Sequence, residues 1–253
     1  MVMRVWVGRA MKLKDVIDSR SGSGSGSESG SGSGSGSRPA PDTRITAVVF
    51  DLGGVLLDWN PRHLYRRLFG EDVEGMERFL AEVVSPDWNA RQDAGRPWDE
   101  ATAEAIASHP EHAALIRAYR ERWEEMLGEA LSDSVAILDE LRGTGLRLLA
   151  LTNWSQFTFP YALPRYPFLR WFEDIVVSGK EGLAKPDPSI FRLLLSRFGI
   201  EASRSVFIDD TLKNVQAAGL LGFHAIHFCN ALQLRRDFAS LGLLPARPVK
   251  ADA

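Results

Sequence analysis

A short apolar run that begins at residue 45 sets the plan of this chain. Residues 45–50 read ITAVVF and lack the strict alternation of a half-exposed strand. A run of this kind is typical of a strand that is buried on both faces. It ends at Asp51, and Gly53 and Gly54 follow, which allow a sharp turn whose N–H groups can face an anion. Because ligands of open α/β sheets bind at the carboxyl ends of the strands, Asp51 is a candidate functional residue.

The second half of the chain alternates between strand-like and helix-like segments. We predict strands at 146–151, 174–177, 205–208 and 223–228, and helices at 135–141, 188–198, 212–221 and 231–241. Strands separated by helices indicate βαβ units and a parallel sheet with right-handed crossovers. The predicted fold class is therefore α/β, with a Rossmann-like parallel sheet flanked by helices.

A helical block interrupts this series after the first strand. Apolar residues fall at helical spacing in segments 61–69, 73–84, 98–108 and 111–127. We interpret residues 60–130 as an inserted α-helical cap, and residues 43–59 and 131–253 as the α/β core. Four of the seven tryptophans lie between Trp59 and Trp123, and we expect most of them to fill the interior of the cap. The loop predicted at 88–95 is expected to face the functional site.

Residues 1–42 have a different composition. Segment 21–37 is Ser and Gly throughout except for Glu28, and it cannot bury apolar surface. We expect a disordered leader with a flexible Ser/Gly linker that precedes the core.

The bulk composition excludes several classes of function. The net charge of −3 and the lack of a basic patch argue against a nucleic-acid partner. No apolar stretch approaches the roughly 18–20 residues that span a membrane, so we expect no membrane partner. The one cysteine, Cys229, excludes an internal disulfide and predicts a reducing, cytoplasmic setting. Monomer and dimer both remain open.

Polar residues follow two further predicted strands. Thr152-Asn153 follows one and Asp209-Asp210 the other, so that both pairs should reach the same sheet edge as Asp51. Lys185 stands in an extended loop, since Pro186 disfavours a helical conformation before it and Pro188 begins the next helix. Each residue alone has an ordinary structural explanation. Their convergence at one edge of the predicted sheet indicates a functional site.

These motifs, in this order, resemble the haloacid dehalogenase superfamily. The matching text reads FDLGGVLLDWN, LTN, KPDPSIF and FIDDTLKN, and it is most similar to the glucose-1-phosphatase-like branch. The resemblance implies a phosphoric monoester hydrolase with Asp51 as nucleophile and Mg²⁺ as cofactor. It implies that the metal is held by Asp51, Gly53 and Asp210, with Asp209 acting through water. It also implies that the phosphoryl group is bound by Leu52, Gly53, Thr152, Asn153 and the catalytic Lys185.

The charge count supports a cation independently of the resemblance. The three aspartates carry −3 and Lys185 supplies +1, so that a phosphate monoester dianion would be repelled by a net −2. One Mg²⁺ brings the site to zero, and oxygen ligands suit that ion. The predicted reaction is attack by Asp51, followed by hydrolysis of an aspartyl-phosphate. The predicted substrate is a small phosphorylated metabolite, with a sugar phosphate as the first choice.

One position departs from the family pattern. Most phosphatases of the superfamily carry a second aspartate, a general acid and base, where this chain has Gly53. Such a group is worth roughly 10²–10⁴-fold in rate. Either the rate depends steeply on leaving-group acidity, or a cap residue such as Asp58 or Asp93 supplies the carboxylate.

Two other functions stay open at this stage. A metal-independent 2-haloacid dehalogenase would also use Asp51 and Lys185, but the Asp209-Asp210 pair would have no use beside its nucleophile. A catalytically impaired binding protein with the same fold is the other alternative, and retention of all four motifs argues against it.

Overall fold

A computed structural model of the protein describes residues 44–245. Along the chain the elements are β1 Ala47–Phe50, β2 Leu57–Trp59, α1 Arg62–Phe69, α2 Val73–Glu82, α3 Pro86–Asp93, α4 Trp98–Ser108, α5 Ala113–Glu121, β3 Leu127–Ala130, α6 Ser132–Arg142, β4 Arg147–Thr152, α7 Ala162–Arg165, β5 Asp174–Val177, α8 Ser178–Glu181, α9 Pro188–Phe198, β6 Ser205–Asp209, α10 Leu212–Leu220, β7 His224–His227 and α11 Ala231–Ser240. The leader and linker predicted for residues 1–42 lie outside the described residues.

Five parallel strands form the main sheet, in the order β5-β4-β1-β6-β7. The central strand β1 is buried on both sides, as its sequence predicts. Val48 and Phe50 belong to the apolar cluster on one face, and Ala47 and Val49 belong to the cluster on the other. The sheet with flanking helices confirms the predicted α/β fold class.

The strand register brings three chain segments to one edge of the sheet. Phe50 lies opposite Ala150 of β4 and Ile208 of β6. Asp51 directly after β1, Thr152 at the end of β4 and Asp209 at the end of β6 therefore lie side by side at the carboxyl ends of the strands. We call this the sheet edge.

Helices α1–α5, here called the cap, lie between β2 and β3, which pair antiparallel. The structure confirms α4 with its predicted bounds. The single helix predicted over 111–127 is wrong. Helix α5 is shorter and is flanked by 3₁₀ turns, because Leu127 pairs with Trp59 in the ribbon instead of continuing the helix.

The loop predicted over 88–95 is also wrong, because most of it belongs to α3. The Ser85 hydroxyl accepts a hydrogen bond from the Trp88 N–H at 3.2 Å, and Pro86 occupies the first turn. Polar residues dominate α3, and two of them, Asn89 and Gln92, are buried. A helix whose buried face is polar shows no apolar periodicity in the sequence.

Two of the four tryptophans predicted to fill the interior of the cap, Trp88 and Trp98, pack together there, whereas Trp59 and Trp123 lie where the cap meets the core. Trp98 stacks on Tyr119, and Trp88 meets both rings edge-on. The cap boundaries at residues 60 and 130 stay a prediction. Within residues 44–245, none of the helices has both the length and the apolar character that crossing a bilayer requires.

Candidate active site

Three aspartates meet at the sheet edge. Asp51 follows β1, Asp209 ends β6, and Asp210 comes next in the chain. One carboxylate oxygen from each lies within 4.8 Å of the others. The sequence-based prediction that strand ends bring these residues together therefore agrees with the geometry.

Lys185 is the cation of this cluster. Its Nζ donates to Asp51 Oδ2 at 2.9 Å, to Asp209 Oδ2 at 2.7 Å and to the Leu151 carbonyl at 2.8 Å. These contacts use all three protons of the ammonium group. Burial alone would lower the pKa of Lys185, but the charges of Asp51 and Asp209 outweigh it and the pKa lies above its ordinary value. The lysine therefore stays charged in the buried site.

Asn153 fixes the backbone of this lysine. Its Oδ1 accepts from the Lys185 N–H at 2.8 Å, and its Nδ2 donates to the Lys185 carbonyl at 2.8 Å. The structure thus shows the Asn153 side chain as a positioning group. The phosphate contact predicted for it stays a prediction, as do those of Leu52, Gly53, Thr152 and Lys185.

Asp209 and Asp210 differ in their surroundings. Asp209 is fully buried, and its oxygens accept from Lys185, from the Thr211 N–H and from Asn214 Nδ2. Asp210 is exposed as a residue, but partial desolvation of its carboxyl group raises its pKa, with the charge of Asp209 adding to the rise. Asp210 is therefore the freer ligand. Sequence reasoning missed Asn214, although it stands in the quoted text FIDDTLKN.

The Asp51 carboxyl is nearly buried and electrostatically crowded. Burial raises its pKa to about 8; Lys185 opposes the rise, and Asp209 and Asp210 add to it. Its Oδ1 accepts the Leu52 N–H at 2.7 Å. A cation placed against Asp51 and Asp210 would relieve this crowding.

The two glycines after Asp51 have different roles. Gly54 has φ +74°, and a Cβ there would lie 2.2 Å from Asp210 Oδ2. The Gly54 N–H donates to the Leu57 carbonyl at 2.9 Å, so the expectation that it faces an anion is wrong. At Gly53 a Cβ would meet nothing within 4 Å. Steric room therefore does not explain why a side chain is missing there.

A small cavity, here called the inner chamber, opens beside these residues. Its volume is about 60 Å³, and core and cap both line it, with Gly53, Trp59, Asn89, Asp93, Trp123, Thr152, Asn153 and Trp154. A wider cleft of about 550 Å³ in the cap shares Trp59, Asn89 and Asp93 with it. Asp58, by contrast, pairs with His63 at 2.8 Å and does not line the inner chamber.

A family profile described as a hydrolase, "haloacid dehalogenase-like hydrolase", matches residues 45–222. The chain belongs to this family. The match spans the sheet edge and the cap, and it confirms the resemblance on which the sequence-based function rests. The chain is therefore a hydrolase of the haloacid dehalogenase superfamily.

Relatives of this chain include named phosphatases. It is 27% identical over 195 residues to the sesquiterpene phosphatase astK of Aspergillus oryzae, covering 75% of this chain and 93% of that protein. It is 26% identical over 192 residues to the fructose-1-phosphate phosphatase YqaB of Escherichia coli, covering 72% and 96%. A haloacid dehalogenase family enzyme of Bacteroides thetaiotaomicron, solved with magnesium and inorganic phosphate, superposes with a TM-score of 0.55 at 20% identity, covering 74% and 95%. This last likeness shows the fold.

Proposed function

We propose that this protein is a Mg²⁺-dependent phosphatase that hydrolyses a small phosphate ester through an aspartyl-phosphate at Asp51. The observation that carries the proposal is the buried Lys185, paired with Asp51 and Asp209 at a sheet edge where Asp210 stays exposed. A phosphatase needs an oriented carboxylate, a fixed cation and a free metal ligand, and each has a residue here.

The donor set fits a hard divalent cation. Three carboxylates and one ammonium group leave a net −2, and carboxylate and carbonyl oxygens are the ligands that Mg²⁺ prefers. Asp51, Asp210 and the Gly53 carbonyl would hold it, with Asp209 acting through water because its oxygens are already hydrogen-bonded. When bound, such an ion neutralises charge on the phosphoryl oxygens.

Three residues of the chain have separate roles in the proposed reaction. The Asp51 carboxylate attacks phosphorus, and the ester oxygen leaves. Lys185 keeps Asp51 oriented and its charge balanced, and Thr152 lies buried at the wall of the inner chamber, where a phosphoryl oxygen would bind. Water then hydrolyses the aspartyl-phosphate.

We propose a phosphorylated metabolite as the substrate, with a sugar phosphate as the first choice. Three tryptophans line the inner chamber, and their faces suit the C–H face of a sugar ring as well as an apolar alcohol. The E. coli relative is named for fructose 1-phosphate and the Aspergillus relative for a sesquiterpene. Polar Asn89 and Asp93 beside the tryptophans favour a leaving group that carries hydroxyls.

We further propose a reducing, cytoplasmic setting. The one cysteine of the chain, Cys229, is an exposed free thiol. An exposed thiol of this kind persists in a reducing compartment.

The test is a screen of phosphorylated metabolites with Mg²⁺, with and without EDTA. We expect phosphate release that EDTA abolishes and excess Mg²⁺ restores. Halide release from a 2-haloacid in the presence of EDTA would instead establish the dehalogenase alternative. A folded, Mg²⁺-loaded protein that turns over neither class would establish the binding-protein alternative.

A further inference from the structure

Asp93 is a cap residue that the core holds over the sheet edge. It is the last residue of α3, and its Oδ1 accepts the Ser155 N–H of the core at 3.1 Å. Its Oδ2 accepts Asn89 Nδ2 from the same helix at 2.8 Å, and its backbone carbonyl accepts from the Ser178 hydroxyl. The carboxyl group is thus fixed from both sides at the wall of the inner chamber.

The core residues that the structure describes offer no comparable proton donor beside the chamber. Gly53 has no side chain, and the three protons of Lys185 are already donated to Asp51, Asp209 and Leu151. Among the described residues that line the inner chamber, Asp93 is the only one with a titratable side chain.

The surroundings of Asp93 favour its neutral form. Burial raises its pKa to about 8, against the hydrogen bonds from Ser155 and Asn89, and the negative charge of Asp51 adds to the rise. Tyr119 of α5 faces it from the cap, and burial holds the pKa of that phenol well above its ordinary value, so that it stays neutral. A carboxyl that is largely protonated at neutral pH can act as an acid.

We propose that Asp93 is the general acid and base of this enzyme, in the place of a carboxylate at Gly53. The proposal rests on the phosphatase function proposed above. In the first step the Asp51 carboxylate bonds to phosphorus, the bond to the ester oxygen breaks, and that oxygen takes the proton of Asp93. In the second step the Asp93 carboxylate takes a proton from water, the water oxygen bonds to phosphorus, and Asp51 leaves as a carboxylate.

The wild-type enzyme supplies the first test. A series of phosphate esters graded by the pKa of the leaving alcohol is measured in single turnover with Mg²⁺. We expect a shallow dependence, since Asp93 protonates the leaving oxygen, and a fall in rate for alkyl esters above about pH 8 as Asp93 loses its proton. A steep dependence in the wild type would overturn the proposal, and this result needs no variant to fold.

The second test is Asp93→Asn. The new side chain can keep its bond to the Ser155 N–H, and Asn89 can turn its amide, since Asn89 Oδ1 has no hydrogen-bond partner in the described structure. We expect single-turnover rates on alkyl phosphates to fall by about 10²–10⁴-fold. The burst of 4-nitrophenolate from 4-nitrophenyl phosphate should change far less, because that group leaves without a proton.

Asp87→Asn is the matched control, since it removes an exposed carboxylate from the first turn of the same helix. It should leave both rates as in the wild type. An Asp93→Asn variant that loses both ester classes equally, or neither, would overturn the proposal.

Gly53→Asp in the Asp93→Asn background separates proton transfer from cap placement. A side chain at Gly53 enters open space, so the new carboxyl can reach the chamber. Recovery of alkyl phosphate turnover supports the missing-acid account. No recovery in a folded double variant with normal Mg²⁺ affinity would show that cap position was lost instead, and would overturn it.

The proposed function can fail separately. If the wild type releases no phosphate from any ester, the phosphatase proposal fails. If the wild type is active but Asp93→Asn slows alkyl phosphates and 4-nitrophenyl phosphate equally, or slows neither, Asp93 alone loses its assigned role.

Discussion

The sheet edge and the cap wall, by which we mean the β2–β3 ribbon together with the cap helices, differ in how their buried polar atoms are hydrogen-bonded. At the edge, the oxygens of Asp209 and the ammonium of Lys185 have a full set of protein partners. In the ribbon and cap, several buried polar atoms have no partner among the described residues, namely Trp59 Nε1, Trp88 Nε1, Asn89 Oδ1, Gln92 Oε1 and Thr102 Oγ1. The core contributes one such atom, Asn214 Oδ1.

An unpaired buried polar atom costs about 1–3 kcal/mol. Two of these atoms, Trp59 Nε1 and Asn89 Oδ1, belong to residues that line both the inner chamber and the wider cleft, so their hydrogen-bonding capacity is not used in folding. Under the proposed function, the edge is preset for the reaction, and the unpaired atoms of Trp59 and Asn89 are suited to recognising the leaving group. Trp59 and Asn89, which line both the inner chamber and the wider cleft, are the residues on which this contrast depends most.

The largest effect is expected at the edge, from Asp51→Asn. Turnover should fall by more than about 10³-fold, because the amide cannot attack phosphorus. The melting temperature should hold or rise, since the variant removes a buried carboxylate and Lys185 keeps Asp209. Steady-state kinetics and calorimetry measure the two. Wild-type-like turnover in the folded variant would end the nucleophile assignment and, with it, the idea of a preset edge.

Metal affinity should separate the two neighbouring aspartates. We expect Asp210→Ala to raise the Kd for Mg²⁺ at least about 100-fold, more than is typical for loss of an outer-shell partner. Asp209→Asn should have a milder effect, because that carboxylate is bonded to Lys185, Thr211 and Asn214. Titration calorimetry of both variants is the measurement. Unchanged affinity in Asp210→Ala would show that the ion binds elsewhere.

The adjacent glycines form a matched pair. Gly54→Ala should lower the free energy of unfolding by about 1–2 kcal/mol through its positive φ alone, and its Cβ should displace the Asp210 carboxylate. Gly53→Ala should be nearly neutral in stability, because its Cβ meets no atom. Chemical denaturation of both variants gives the comparison. Equal losses in the two variants would show that Gly53 is constrained as well, and would contradict the predicted difference between the two glycines.

The smallest effect is expected on the cap side, from Trp59→Phe. Phenylalanine keeps an aromatic ring but lacks the unpaired indole N–H, so that loss of one hydrogen bond to the leaving group should raise KM roughly fivefold, by about 1 kcal/mol. The kcat should hold. Trp171→Phe, at a ring that packs on Arg142 away from the chamber, is the control. A fall in kcat with unchanged KM would show that Trp59 acts in the chemical step, and would contradict the division between a reacting edge and a recognising cap.

The residues of the sheet edge could be predicted from the sequence, whereas the structure of the cap wall could not, and the reason is physical. Strands β1 and β6 show as continuous apolar runs because both faces are buried, and the residues that follow them must then lie at one edge. Helix α9 shows through Pro188 at its start and Gly199, with φ +58°, at its end. These signals are local.

What was missed depends on distant partners or on buried polar faces. Strands β2 and β3 are three and four residues long, and they pair across some 70 residues of chain. Helix α3 hides its period because Asn89 and Gln92 are the buried residues. Ser85 followed by Pro86 was the available signal for its start. That Asp93 at its end meets the Ser155 N–H is a tertiary fact that no local pattern carries.

The pair of hydrogen bonds between Asn153 and Lys185 has a consequence for the dynamics of the site. The Asn153 side chain bonds both the N–H and the C=O of Lys185, as the backbone of a neighbouring strand would. These two hydrogen bonds join the lysine loop to the sheet although the loop is not itself a strand. Breaking these two hydrogen bonds requires movement at the end of β4, which lies next to the central strand of the sheet. The Lys185 amide hydrogen should therefore exchange with solvent as slowly as amides of the core strands, and far more slowly than those of neighbouring loop residues. The backbone of Lys185 should then stay in place for as long as the sheet is folded.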